Sequence, residues 1–205
     1  MIGIIDYKAG NSHSVKNACD KIGVKSIFIT APDQLEAVSS IILPGVGSAG
    51  ETMSSLNELC LIPALEKRVL RDSVPYLGIC VGMQVLFEYS DEGGGADCLG
   101  WLGGRVIKFD PGRVRIPQMG WNSMTWAKDS PLRKSGGEAE YFYFVNSFHA
   151  VPSDSGDILA TADYGGSFVC AVQRGNIFAT QFHTEKSGEA GLRILENFCK
   201  IGGAE

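Results

Sequence analysis

Gly78-Ile79-Cys80-Val81-Gly82 places a cysteine between two glycines, each two positions away. An apolar run, Pro75 to Ile79, precedes it and reads as a strand. The stretch that follows, Val81 to Tyr89, reads as a helix. A strand-to-helix elbow of this kind holds its central side chain up on a sharp turn, which suits a nucleophile. Small neighbours let the adjoining backbone pack closely. The spacing predicts a thiol at a helix N-terminus, where the positive end of the dipole favours thiolate. It also predicts a Val81 amide turned toward a developing oxyanion. A cysteine nucleophile needs a base and a group to orient that base. The candidates are His13, His149 and His183. Only His183 has a carboxylate close at hand: Glu185 lies two residues on, in Thr180-Gln181-Phe182-His183-Thr184-Glu185-Lys186. A carboxylate so placed can fix the imidazole tautomer. The chemistry indicated is nucleophilic acyl transfer, and the elbow by itself selects no substrate. A second turn, Leu43-Pro44-Gly45-Val46-Gly47-Ser48, can face backbone amides toward a ligand. It lacks the third glycine of a dinucleotide fingerprint, and no phosphate-binding GxxxxGK[ST] run occurs.

These groups need a scaffold that brings strand ends together. Short apolar runs at Ile2–Asp6, Ser26–Thr30, Ser40–Leu43 and Pro75–Ile79 alternate with helical patterns in the first half. Val15, Ala18, Cys19 and Ile22 follow helical spacing, with Asn11 and Ser12 as capping candidates and Gly23 as the stop. Residues Leu56 to Arg71 look helical with a break near Pro63. Such alternation predicts a parallel sheet with helices on its faces. The second half reads as added β-structure: Arg105–Phe109, Tyr141–Val145, Ile158–Ala162, Phe168–Gln173 and Ile177–Thr180. Leu192, Leu195, Phe198 and Cys199 mark a closing helix. Gly93 to Gly95, Gly136 and Gly137 read as turns, and one domain over residues 1–205 is expected.

Composition sets the outer bounds. The 205 residues are 44% hydrophobic and 20% charged, with a net charge of −5. There is no basic surplus for nucleic acid or an anionic membrane, and no apolar run long enough to span a bilayer. The N-terminus carries no signal-peptide pattern, so a cytoplasmic protein is expected. The six cysteines form no C-x-x-C pair and the histidines show no zinc spacing. Reduced thiols, no metal and no cofactor are the expectation.

Taken together, PGVG after a strand, GICVGMQ at the elbow and a late F-H-x-E resemble the class I (triad) glutamine amidotransferases. The resemblance implies a flavodoxin-like α/β fold: a mixed sheet with helices on both faces. It implies that Cys80 attacks the side-chain amide of glutamine, with His183 as base and Glu185 as its orienting carboxylate. Val46, Gly47 and Val81 would form the oxyanion site. Gln84, Glu92, Ser147 and Phe148 would line the glutamine pocket. Leu99 to Val106, Ile116 to Asn122, Tyr141 to Phe148 and His183 to Ser187 extend the likeness over nearly the whole chain. There the pattern is similar to the glutaminase subunits of imidazole glycerol phosphate synthases. Those subunits form heterodimers with a (β/α)₈-barrel cyclase, which uses the ammonia to make imidazole glycerol phosphate and an aminoimidazole carboxamide nucleotide. Gln118, Met119, Trp121, Asn122 and Lys186 then map to the partner face. The chain departs from that pattern at Gln118 and Asn146, where histidine is usual, at Thr184, where proline is usual, and at Phe148, where tyrosine is usual. A paralogue feeding a different acceptor enzyme, such as one amidating a surface-polysaccharide sugar, is the alternative reading.

Overall fold

The computed structural model describes residues 1–8, 11–133 and 140–203. In chain order the first half contains β1 (Ile2–Ile5), α1 (Ser12–Lys21), β2 (Ser26–Ile29), β3 (Ser40–Gly45), α2 (Ala49–Glu58), α3 (Leu61–Glu66), β4 (Tyr76–Cys80) and α4 (Val81–Gln84). The second half contains β5 (Tyr89–Ser90), β6 (Ala96–Asp97), β7 (Gly104–Lys108), β8 (Gln118–Trp126), β9 (Tyr141–Asn146), β10 (Phe148–Pro152), β11 (Ile158–Asp163), β12 (Ser167–Arg174), β13 (Ile177–Thr180) and α5 (Gly188–Ile201).

Every residue of β1, β3, β4 and β13 is buried, as required of strands covered on both faces. Their unbroken apolar sequences are therefore a burial signal and not an alternating one. The sheet runs β2-β1-β3-β4-β13-β12-β10-β7-β5-β6. Pairing is parallel from β2 through β13 and turns antiparallel at β12. A branch leaves β12 through β11 to β8 and β9. Helices α1 and α5 pack together, and α2 packs on α3 and α4. Phe142 packs against Phe182 with ring centroids 4.2 Å apart and planes tilted by 34°, and Phe144 meets the same ring at 5.6 Å. This buried aromatic cluster seats the chain after β13 against β9.

Three local expectations need correction, and two strands appear that the sequence pattern does not single out. The helix after Cys80 spans only Val81–Gln84, not Val81 to Tyr89, so its dipole is that of a single turn. The break in the 56–71 helical region falls at Cys60, with φ 54°, and not at Pro63. Pro63 sits in the first turn of α3, where its missing N–H costs no helical bond. The 118–126 segment is a nine-residue strand, and Phe148–Pro152 is another. Asn11 occupies the N-cap position of α1, but its side chain makes no cap hydrogen bond. Gly136 and Gly137 lie outside the described residues.

The elbow itself rests on close packing. A Cβ at Gly82 would lie 1.9 Å from the Leu43 carbonyl oxygen, and one at Gly78 would lie 2.3 Å from the Gly82 carbonyl oxygen. Neither contact can be relieved without lifting α4 away from β3 or from β4. Gly82→Ala should therefore lower unfolding free energy by roughly 3 kcal/mol. Urea denaturation measures this, and a loss below about 1 kcal/mol would show that the elbow relaxes freely.

Candidate active site

Cys80 ends β4 with φ 56° and ψ −108°, a strained conformation for a residue with a side chain. Register places its surroundings. Gly45 of β3 pairs with Cys80, so Val46 and Gly47 leave the sheet on one side of the sulfur. Thr180 of β13 pairs with Ile79, so Gln181, Phe182 and His183 leave on the other. The turn at Val46–Gly47 is held at its far end by a capping box. Ser48 Oγ accepts the Glu51 N–H at 3.2 Å, and the Glu51 carboxylate accepts from Ser48.

The loop bearing His183 is pinned to β9. Its N–H donates to the Tyr143 carbonyl at 3.0 Å. Ser187 donates its hydroxyl to the His183 carbonyl at 2.6 Å and accepts the Tyr143 N–H at 2.9 Å. His183 Nδ1 lies 2.8 Å from Glu185 Oε1, which leaves Nε2 as the ring nitrogen for the thiol. Burial alone would push the imidazole pKa down. Contacts with Cys80 and Glu185 outweigh burial and raise it to about 9, so a proton is held on the ring beside the sulfur. Burial pushes the Glu185 carboxyl up, but His183 and Asn11 override it and hold the group below the usual carboxylate range.

Asn11 is a site residue that sequence reasoning read only as a helix cap. Its Nδ2 donates to Glu185 Oε1 at 2.5 Å and lies 3.4 Å from His183 Nδ1. Gln181 was also missed. Its Nε2 lies 3.6 Å from Cys80 Sγ, and its Oε1 accepts from Gln84 Nε2 at 3.1 Å. The Val145 carbonyl lies 4.0 Å from Sγ. Only position distinguishes these residues from ordinary loop polar groups. Gln181 sits at a parallel strand's C-terminal end, which is the one signal that could have found it.

A cavity of about 280 Å³ opens over the sulfur, large enough for a small amino-acid ligand. Val46, Gly47 and Val81 line it with Cys80 and His183, as do Gln84, Glu92, Ser147 and Phe148. Pro117, Val145 and Asn146 line it too. Gln84 spends its N–H groups on Gln181 and on the Phe148 carbonyl, at 3.3 Å, so it braces the cavity wall. Glu92 accepts the Ala49 N–H at 3.3 Å. Burial and then Glu51 push its carboxyl up, against the pull of Ala49.

The residues expected on a partner face divide. Met119 and Trp121 are 66% and 57% exposed on β8, and Lys186 is exposed at the cavity rim. Asn122 is partly buried, with its Nδ2 donating to the Asp163 carbonyl at 2.7 Å. Gln118 does not belong with them: it is only 3% exposed and opposes Asn146 across β8 and β9, so it faces inward at the ladder's end. Strand alternation explains this, because Gln118 and Met119 must point to opposite faces. No cluster of three metal-ligating side chains and no helix long and apolar enough to cross a membrane occurs among the described residues.

Comparison with known proteins agrees with this geometry. The class-I glutamine amidotransferase family matches residues 3–201. Imidazole glycerol phosphate synthase subunit HisH 1 of Campylobacter jejuni subsp. jejuni serotype O:23/36 (strain 81-176) is 45% identical over 202 residues, covering 98% of this chain and 100% of that protein. Subunit HisH of Methanothermobacter thermautotrophicus is 46% identical over 201 residues, covering 98% of each. Among solved structures, a glutamine amidotransferase aligns with a TM-score of 0.78 at 20% identity over 99% of both chains. A chain of PurLQS from Thermotoga maritima gives 0.78 at 19% identity, covering 98% of this chain and 97% of that one. At such identities these structures speak to the fold alone.

The proton held on His183 has a consequence for stability. A histidine titrates near 6.5 when unfolded and His183 near 9 when folded. Its contribution is complete below about pH 6.5 and is lost as pH rises through about 9. Urea midpoints should fall across that window, and His183→Gln should flatten the fall. Equal slopes in both proteins would place the proton elsewhere. Asn11→Ala should lower kcat about tenfold with little change in KM, because it removes a hydrogen bond to the buried Glu185 carboxylate.

Proposed function

Because the chain belongs to the class-I glutamine amidotransferases, we propose that it is the glutaminase subunit of an imidazole glycerol phosphate synthase, acting in histidine biosynthesis. It is an enzyme that hydrolyses glutamine to glutamate and ammonia. The observation that carries this reading is the meeting of Cys80, His183 and Glu185 beside one cavity, in a chain with near-full-length relatives of that synthase. The alternative, a glutaminase for a sugar-amidating enzyme, is not favoured by relatives of that name and coverage.

The steps follow from the geometry. Cys80 Sγ attacks the glutamine Cδ, and backbone amides around Val46, Gly47 and Val81 receive the oxyanion. The C–S bond forms, and as the C–N bond breaks the imidazolium proton of His183 passes to the departing nitrogen, giving ammonia. The neutral imidazole then takes a proton from a water whose oxygen attacks the thioester. As the C–S bond breaks, glutamate leaves, and the sulfur–imidazolium pair of the starting state is restored. Glu185 keeps Nδ1 occupied throughout, so Nε2 alone exchanges protons. Every group in this sequence belongs to the protein, the substrate or water.

The acceptor side is read from the surface. Residues 1–205 form one amidotransferase domain in this reading, cytoplasmic and paired with a (β/α)₈-barrel cyclase. Met119 and Trp121, large exposed apolar groups on β8, with Lys186 at the cavity rim, support a partner seated over the cavity mouth. Free ammonia is largely protonated at neutral pH and diffuses away, so release beneath a docked synthase keeps it usable.

Cys80→Ala should abolish glutamine-dependent formation of imidazole glycerol phosphate by the reconstituted complex, a loss of about 10³-fold or more. Turnover supported by added ammonium salt should persist. Glutamine-dependent product from the variant would refute the assigned nucleophile.

A further inference from the structure

The end of the β8–β9 ladder holds two polar groups that the mechanism leaves unused. Gln118 and Asn146 are register partners in an antiparallel pair, so their side chains stand together on one face. They are 3% and 5% exposed. Gln118 Oε1 and Asn146 Oδ1 are both buried, and neither has a hydrogen-bond partner. Buried acceptors are normally satisfied, and two on one face of paired strands can share a donor.

Their position says which donor is near. Asn146 lines the cavity over Cys80, as do Pro117, next to Gln118, and Val145, whose carbonyl is 4.0 Å from Sγ. The Asn146 amide is not free to turn. Its Nδ2 donates at 3.0 Å to the Phe148 carbonyl, which also accepts from Gln84, and Gln84 is bonded to the Gln181 that touches the sulfur. The network fixes Oδ1 as the end left over. The molecule released within one residue of this end has three N–H bonds and carries no charge as it leaves the carbon. Amide oxygens accept N–H bonds and do not titrate, so they can hold ammonia without protonating it. A site closed from bulk water disfavours ammonium.

We propose that the side-chain carbonyls of the register partners Gln118 and Asn146 form a transient binding position for the ammonia released at Cys80, ahead of its transfer to the synthase partner. This rests on the glutaminase reading above. Met119, next along β8 from Gln118, stands exposed on the face assigned to that partner.

The test uses the complex with its cyclase partner and measures product formed per glutamate released. Gln118 is the residue to change, since Asn146 lines the substrate cavity. Gln118→Met removes the acceptor at nearly the same volume, and Gln118→Val, with a strand-favouring side chain, is the second variant should the first not fold. Both should release glutamate at the wild-type rate, while product per glutamate falls by about half or more and the missing nitrogen appears as free ammonia in the medium. Gln118→Asn, which keeps a carbonyl, should recover part of the coupling. Turnover on added ammonium should be unchanged. Unaltered coupling in the Met and Val variants would overturn the proposal and leave the pair as the seat of a structural water. A raised KM for glutamine with coupling intact would overturn it too, placing the pair in substrate binding. If the wild-type complex itself makes no product from glutamine, the functional reading fails rather than the ammonia position.

Discussion

Strand β4 is hydrogen-bonded on both sides to parallel strands, β3 and β13, and all three reach the same edge of the sheet. The arrangement of the site descends from that pairing. Parallel strands release their chains at one edge, so the residue ending β4 is flanked by whatever follows β3 and whatever follows β13. Here those are a turn of backbone amides and a loop carrying an imidazole. The two partners are far apart in sequence, at residues 45–47 and 181–185. Only the order β3-β4-β13 makes them neighbours. The close contacts of Gly78 and Gly82 with the Leu43 backbone and with each other allow β4 to turn within this space. A side chain at either position would push α4 away from the strands that define the site.

Around this edge the polar groups form connected sets. One runs from Asn11 through Glu185 to His183 and governs the proton on the ring. Another runs from the sulfur through Gln181 and Gln84 to the Phe148 carbonyl and Asn146. In a buried setting a fully satisfied network is rigid, and each open end is costly. The first set serves the chemistry of the thiol. The second braces the cavity wall and ends in acceptors that the chain itself does not satisfy. The two sets part within the loop after β13: His183 and Glu185 join it to the N-terminal end of α1, whereas Gln181 leads through α4 to β9 and β10.

Much of this was legible in the amino-acid sequence, for physical reasons that differ by residue. Cys80 stood out because a nucleophile elbow needs small residues at fixed offsets, which is a local requirement. His183 stood out because its carboxylate partner lies two residues away. The fully buried parallel strands declared themselves as continuous apolar runs. Asn11 and Gln181 did not, because their roles arise from contacts across 174 and 101 positions of chain. Asn11 reads as a helix cap, a common use of that residue type at that place, and the pull of the Glu185 carboxylate diverts it. The resemblance groups Gln118 with Met119 and Trp121 on the partner face. The strand period then separates them, since nothing in the run alone showed it to be a strand. The helix after Cys80 was overextended because Val85, Leu86 and Phe87 are apolar for packing and not for helix.

The shortened helix changes what activates the thiol. A longer helix would bring a sizeable dipole to bear on the sulfur, acting whether or not a base is present. A single turn brings little, and what remains beside Cys80 is the imidazole. The proton on the His183 ring then depends on how that ring is held. Glu185 and Asn11 hold the ring from behind, and Ser187 and Tyr143 fix its backbone. Those holds come from α1, β9 and the chain leading into α5, which are not the elements that build the elbow. The hold on the His183 ring and the placement of the Cys80 thiol are thus set by separate parts of the fold. A displacement of β9 by a molecule bound against Met119 and Trp121 would reach His183 through Tyr143 while leaving the packing of Gly78, Gly82 and Leu43 untouched.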